Sequence, residues 1–186
     1  MRIIGGSLRG LTLAEVGTGD AAAHLRPTSD RVREAIFNLL TNGAAGNLVT
    51  GAVVLDLFAG TGALGIEGLS RGATHATFVD DGEVAHRLLK DNIRRAKLEG
   101  QTTTLRSKSA QIRENGGASA SLVFLDPPYD ARLGVPALAA ARKMGWLAPG
   151  ATVVWEESRQ QPAPDGFRLT DARRYGDTWV TVLEAS

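Results

Sequence analysis

The chain is expected to fold as an α/β domain. A mostly parallel sheet carries helices on both faces, a C-terminal antiparallel hairpin closes it, and a short N-terminal β-hairpin and helix precede it. Three observations support this. From Ala52 onward, apolar runs alternate with segments of helical spacing, the pattern of repeated βαβ units. The run Leu122-Val123-Phe124-Leu125 is apolar without alternation, as expected of a strand covered on both faces. After Phe167 two β-like runs flank the turn formers Tyr175-Gly176-Asp177.

The elements follow in order. Arg2-Ile3-Ile4 and Leu11-Thr12-Leu13 read as a hairpin around Gly5-Gly6-Ser7, and residues 14–25 as a loop. Thr28 or Ser29 caps a helix in which Val32, Ala35, Ile36, Leu39 and Leu40 recur at helical spacing. Residues 43–51 form a linker. Strands are expected at 53–57, 75–80, 102–105, 121–126 and 151–156, and helices at 63–70, 82–98, 108–114 and 132–144. The tail supplies strands at 167–174 and 178–184. Residues 1–45 are read as an N-terminal extension and 46–186 as one compact unit.

Composition excludes several classes. A hydrophobic fraction of 43% with 22% charged residues is ordinary for a soluble globular chain of this length. With no cysteine there is no disulfide framework and no thiolate metal site. His24, His75 and His86 stand at unrelated spacings, so no metal is expected. The N-terminus lacks the apolar core of an export signal, which makes a cytoplasmic location the default. No coiled-coil repeat is present, so a monomer is expected. Charge is uneven: Met1 to Arg33 holds five arginines (Arg2, Arg9, Arg26, Arg31, Arg33) against three acids. Guanidinium forks suit phosphate.

Asp126-Pro127-Pro128-Tyr129 follows the apolar run, where a strand leaves the sheet. Open α/β sheets bind ligands outside those carboxyl ends. A carboxylate and a proline carbonyl both accept hydrogen bonds from an exocyclic amine. The prolines keep the backbone stiff and extended, and the tyrosine offers a face to a planar base. This set suits methylation of an amino group on a nucleobase.

Val53 to Gly65 reads as strand, Gly-rich turn and helix start. Gly60-x-Gly62-x-x-Gly65, with Asp80 twenty residues past Gly60, also fits a dinucleotide fingerprint, so an NAD-dependent enzyme is a rival. Asp56 argues against it. A carboxylate ending the first strand is poorly placed beside a pyrophosphate but well placed near a sulfonium or ammonium. S-adenosylmethionine carries both and has no phosphate. In this reading Phe58, Ala59, Gly60, Thr61 and Gly62 form the cofactor loop, and Asp80, with Asp81 beside it, takes the ribose hydroxyls.

With these motifs in hand the chain resembles the RsmD-type 16S rRNA guanine-N2 methyltransferases nearly end to end. Asp56 to Ala73 is similar to the family's motif I, and Arg2 to Gly10 and Arg26 to Leu40 to its N-terminal signatures. Leu125 to Tyr129 and Arg174 to Thr178 also fit. The resemblance implies a class I S-adenosylmethionine-dependent methyltransferase (Rossmann-like) sheet. It implies methylation of N2 of a guanine in 16S rRNA, within the small ribosomal subunit or its assembly intermediate. Asp126, Pro127, Pro128 and Tyr129 would be catalytic. Arg2, Arg9, Arg26, Pro27, Thr28, Arg31 and Arg33 would meet RNA. Where many such enzymes hold the adenine with an acid, this chain has Ser109 and Ala110. Rival readings are an amino-methylase of DNA or another RNA, and a non-catalytic ribosome-assembly module.

Overall fold

A computed structural model describes residues 1–15 and 29–186 of the 186-residue chain. Seven strands form one sheet: β1 (Val53–Leu57), β2 (His75–Asp80), β3 (Thr102–Arg106), β4 (Ala120–Leu125), β5 (Leu147–Glu157), β6 (Phe167–Tyr175) and β7 (Thr178–Ala185). Their order is β3-β2-β1-β4-β5-β7-β6. The first five are parallel, and β7 pairs antiparallel with both β5 and β6. The helices are α1 (Asp30–Asn42), α2 (Ala63–Ser70), α3 (Glu83–Ala96) and α4 (Gly134–Lys143). The expected mostly parallel sheet with a closing hairpin is therefore present. No helix among the described residues is long and apolar enough to cross a membrane.

The apolar strands are buried on both sides, as their lack of alternation requires. Val54, Leu122 and Phe124 pack with Ile36, Phe37, Ile66 and Leu89 of α1, α2 and α3. Leu55, Leu57, Val123 and Leu125 pack on the other face with Ala137, Leu138 and Ala141 of α4. Ile3 and Leu13 join the first cluster, so the N-terminal segment shares the core of the sheet.

Ser29 caps α1, its hydroxyl accepting from the Val32 N–H at 3.2 Å. The expected N-terminal hairpin is present in short form: Arg2 bridges Thr12, the Ile3 N–H donates to the Leu11 carbonyl at 2.9 Å, and the Leu13 N–H to the Met1 carbonyl at 3.1 Å. Between its arms the backbone also turns to α2. The Ile4 and Gly5 N–H groups donate to Glu67, and the Ser7 N–H to the Ser70 carbonyl. The helix expected over 108–114 is only a 3₁₀ turn, Ser109–Gln111. Ser107 donates its hydroxyl to the Lys108 and Gln111 carbonyls, the local competition that makes serine a poor helix former. β5 begins earlier than expected, across a register shift opposite Ala120–Leu122.

Candidate active site

Strand order reverses between β1 and β4: β2 and β3 lie to one side of β1, and β5 to the other side of β4. Such a switch point opens a crevice at the carboxyl edge. Both motifs end there. β1 runs into Phe58–Gly62 and β4 into Asp126–Tyr129. The Asp126 N–H donates to the Leu57 carbonyl at 3.4 Å, which carries the β1–β4 pairing one step past the strand end.

The loop after β1 is tightly wound. Phe58 has φ +63°, a left-handed conformation that costs a non-glycine residue about 1–3 kcal/mol and clusters at functional sites. Gly62 has φ +82°, and a Cβ there would lie 2.5 Å from a Leu89 methyl. Only glycine fits both demands. Asp80 stitches the loop to the next turn: one carboxylate oxygen accepts the Gly60 N–H at 2.9 Å, the other the Gly82 N–H at 2.8 Å. A carboxylate has capacity for further donors, and Asp80 remains half-exposed. Asp81 is exposed.

Asp56 lies beneath this loop rather than in the open crevice. It is 1% exposed and accepts the Gly65 N–H at 2.9 Å. Burial pushes its carboxyl up to about 7; the Gly65 bond opposes that shift and the nearby Asp80 charge adds to it. The carboxylate expected near a cationic ligand is thus buried under the loop, with almost no surface of its own at the crevice.

Ser109 begins the turn after β3. Its hydroxyl is buried and without a partner among the described residues, an orphan that suits a bound polar group. Ala110 is exposed beside it. Asp80, the wound glycine loop and this hydroxyl share the carboxyl edge and fit a nucleoside-bearing cofactor.

At the β4 end Pro127 is buried, Pro128 exposed, and Asp126 and Tyr129 half-buried. Tyr129 is tied by its hydroxyl, which donates to Glu156 Oε1 at 3.1 Å and lies 2.9 Å from Thr178 Oγ1. Burial raises its phenol above the ordinary range. The Thr178 bond opposes this, and the Glu156 and Asp126 charges reinforce it. Glu156 and Glu157 carry no motif, and sequence reading gave no role to them or to Thr178. Thr178 does close the Arg174–Thr178 segment already singled out.

Among the basic residues, Arg2, Arg9 and Arg31 are exposed. Arg33 is not: it is fully buried, 2.8 Å from Asp30 and 3.6 Å from Glu67. The expectation that Arg33 meets RNA is corrected, since a guanidinium with no accessible surface has none to offer a phosphate. Arg26, Pro27 and Thr28 lie outside the described residues.

Residues 1–184 match a family model described as conserved hypothetical protein 95. The chain is 36% identical over 165 residues to ribosomal RNA small subunit methyltransferase D of Escherichia coli (strain K12), covering 88% of this chain and 78% of that one. It is 34% identical over 193 residues to "Putative rRNA methyltransferase YlbH" of Bacillus subtilis, covering 99% and 98%. Among solved structures, "Putative methyltransferase yhhF from Escherichia coli" superposes with a TM-score of 0.82 at 32% identity, over 100% of this chain and 97% of that one.

Proposed function

The chain belongs to the conserved hypothetical protein 95 family, the RsmD family of rRNA methyltransferases, and from that premise we propose that it methylates the N2 amino group of a guanine in 16S rRNA. What supports this reading is one juxtaposition: the glycine loop after β1 and Asp126–Tyr129 after β4 meet at the switch point of the sheet. S-adenosylmethionine, when bound, supplies an electrophilic methyl group on sulfur.

The chain's own residues do the rest. The loop Phe58–Gly62 brings backbone close to the cofactor. Asp80 takes the ribose hydroxyls, and Ser109 with the Ala110 amide holds the adenine. Asp126 and the Pro127 carbonyl accept the two N–H bonds of the guanine amine and turn its lone pair toward the methyl. Tyr129 stacks on the base after it leaves its helix. No strong base is needed, because the proton leaves after transfer. Positioning and electrostatic stabilisation carry the rate. Arg2, Arg9 and Arg31 contact the rRNA backbone, which gives salt-dependent affinity without sequence choice, and Arg26, Pro27 and Thr28 are further RNA-binding candidates.

The test is methyl transfer from labelled cofactor to small subunits, naked 16S rRNA and DNA in parallel. Label should enter rRNA of the subunit and hydrolyse to N2-methylguanosine. Label confined to DNA, or found on adenine, refutes the assignment.

Asp56 adds a pH dependence. A carboxyl raised to about 7 is disfavoured in its charged form. Its contribution to stability is complete below about pH 4 and is lost as pH rises through about 7. A cation bound above it reverses that preference, so binding releases a proton. Cofactor affinity should therefore rise from about pH 6 to about pH 8 and then level off. Calorimetric titration in buffers of different ionisation heat measures the released proton. The Asp56→Asn chain should lose the dependence, and a flat wild-type profile would contradict it.

A further inference from the structure

Two buried carboxylates at the same sheet edge have no part in the chemistry above. Glu156 and Glu157 end β5, and each is 5% exposed. Consecutive strand residues point to opposite faces. Val154 packs on the α1–α3 side and Trp155 on the α4 side, so Glu156 and Glu157 continue one to each face. Both reach the chain leaving β4. Glu156 accepts the Tyr129 hydroxyl at 3.1 Å, and Thr178 meets that hydroxyl at 2.9 Å. Glu157 Oε1 accepts the N–H of Asp130, the very next residue, at 3.1 Å. Its other oxygen accepts the Ser158 N–H at 2.7 Å, and the Ser158 hydroxyl lies 3.3 Å from Asp130 Oδ1.

Asp130 has φ +59° and is exposed. Aspartate adopts this region more readily than most residues, and the Glu157 carboxylate, accepting the Asp130 N–H, ties the peptide in it. Tyr129 is thus held at its hydroxyl from one face and at its following peptide from the other.

We propose that Glu156 and Glu157 are positioning residues that set the Tyr129 ring for the substrate base, with Thr178 completing the grip. This rests on the methylation reading. The ring's angle is fixed by two attachments on opposite faces of β5, so releasing either lets it swing. Displacements of about 1 Å at a reacting centre cost up to roughly a hundredfold in rate.

The experiment is a set of double-mutant cycles. Glu156→Gln, Glu157→Ala and Thr178→Val are each made in the wild-type chain and in Tyr129→Ala, and rates on small subunits are compared. In the wild-type background kcat should fall roughly ten- to a hundredfold, with KM for S-adenosylmethionine little changed. In the Tyr129→Ala background the further loss should vanish, and Thr178→Ser should restore the rate. Equal losses in both backgrounds, or a matching fall in melting temperature, would mean a general structural role and overturn the proposal.

A second readout does not need activity. The chain has two tyrosines, so Tyr175→Phe grown with 3-fluorotyrosine gives one fluorine resonance, that of residue 129. Glu157→Gln and Thr178→Val should each shift or broaden it; an unmoved line overturns the proposal. A wild-type chain that methylates no rRNA would defeat the parent reading instead, and the fluorine signal would still decide whether Tyr129 is gripped.

Discussion

Asp126→Ala is expected to lose methyl transfer by about two to three orders of magnitude while binding cofactor nearly as the wild type does. The magnitude follows from the role. A charged acceptor aimed at the reacting amine acts where charge develops, and removing one preorganised hydrogen-bonding group, an oxyanion-hole donor, costs about 2.7–4 kcal/mol. Selectivity for turnover follows from geometry. The Asp126 backbone N–H still donates to the Leu57 carbonyl, so the β1–β4 join persists. The glycine loop and Asp80 hold each other through Gly60 without help from residue 126. Asp126→Asn keeps one acceptor oxygen and should fall between the two. Single-turnover rates on small subunits, with cofactor affinity by calorimetry, separate chemistry from binding. An alanine chain that methylates at near the wild-type rate removes the carboxylate from the mechanism.

Much of this site was legible in the sequence because its parts are local. β1, β2 and α2 span the residues expected of them, since an apolar run, a glycine turn and a second run each declare themselves within a dozen positions. Asp126–Tyr129 was legible for the same reason: a strand end is marked by the run before it. The grip on Tyr129 was not. Glu156 and Thr178 stand 27 and 49 residues away, and only the pairing of β5 with β4 on one side and β7 on the other brings them to Tyr129. Arg33 is an instructive error. Counting arginines placed it with Arg2 and Arg9, yet it shares the stripe of Ile36, Phe37 and Leu40 at spacings of three, four and seven. That spacing was a signal for burial. Its partner left one too, since Glu67 stands within a helix whose every residue is buried. A lone acid in such a helix requires a counter-charge.

Glu67→Ala is expected to destabilise the fold more than any other single change considered. Glu67 is fully buried and serves four groups. Its carboxylate accepts the Ile4 and Gly5 N–H at 2.8 Å each and Arg71 Nε at 2.8 Å, with Arg33 Nε at 3.6 Å. Arg71 in turn lies 4.9 Å over the Phe37 ring. Arg33 also donates to the Arg2 carbonyl, so the N-terminal segment is latched to α1 and α2 through these charges. Removing one partner of a buried pair costs about 3–5 kcal/mol, because the remaining charge stays in low dielectric. Urea denaturation should register a loss of that size, and amide exchange at Ile4 and Gly5 should accelerate beyond it as the segment detaches. The double replacement Glu67→Leu with Arg33→Met is the decisive comparison. Two apolar side chains in place of a buried pair are often neutral, so the double variant should recover most of the lost stability. The Ile4 and Gly5 amides have no acceptor in either variant and should exchange fast in both. If the double variant is as unstable as Glu67→Ala, the loss comes from the two orphaned amides and the freed Arg71 rather than from the Arg33 charge, which then has Asp30 at 2.8 Å as its carboxylate partner. The latch would then be a hydrogen-bonded one, with electrostatics secondary.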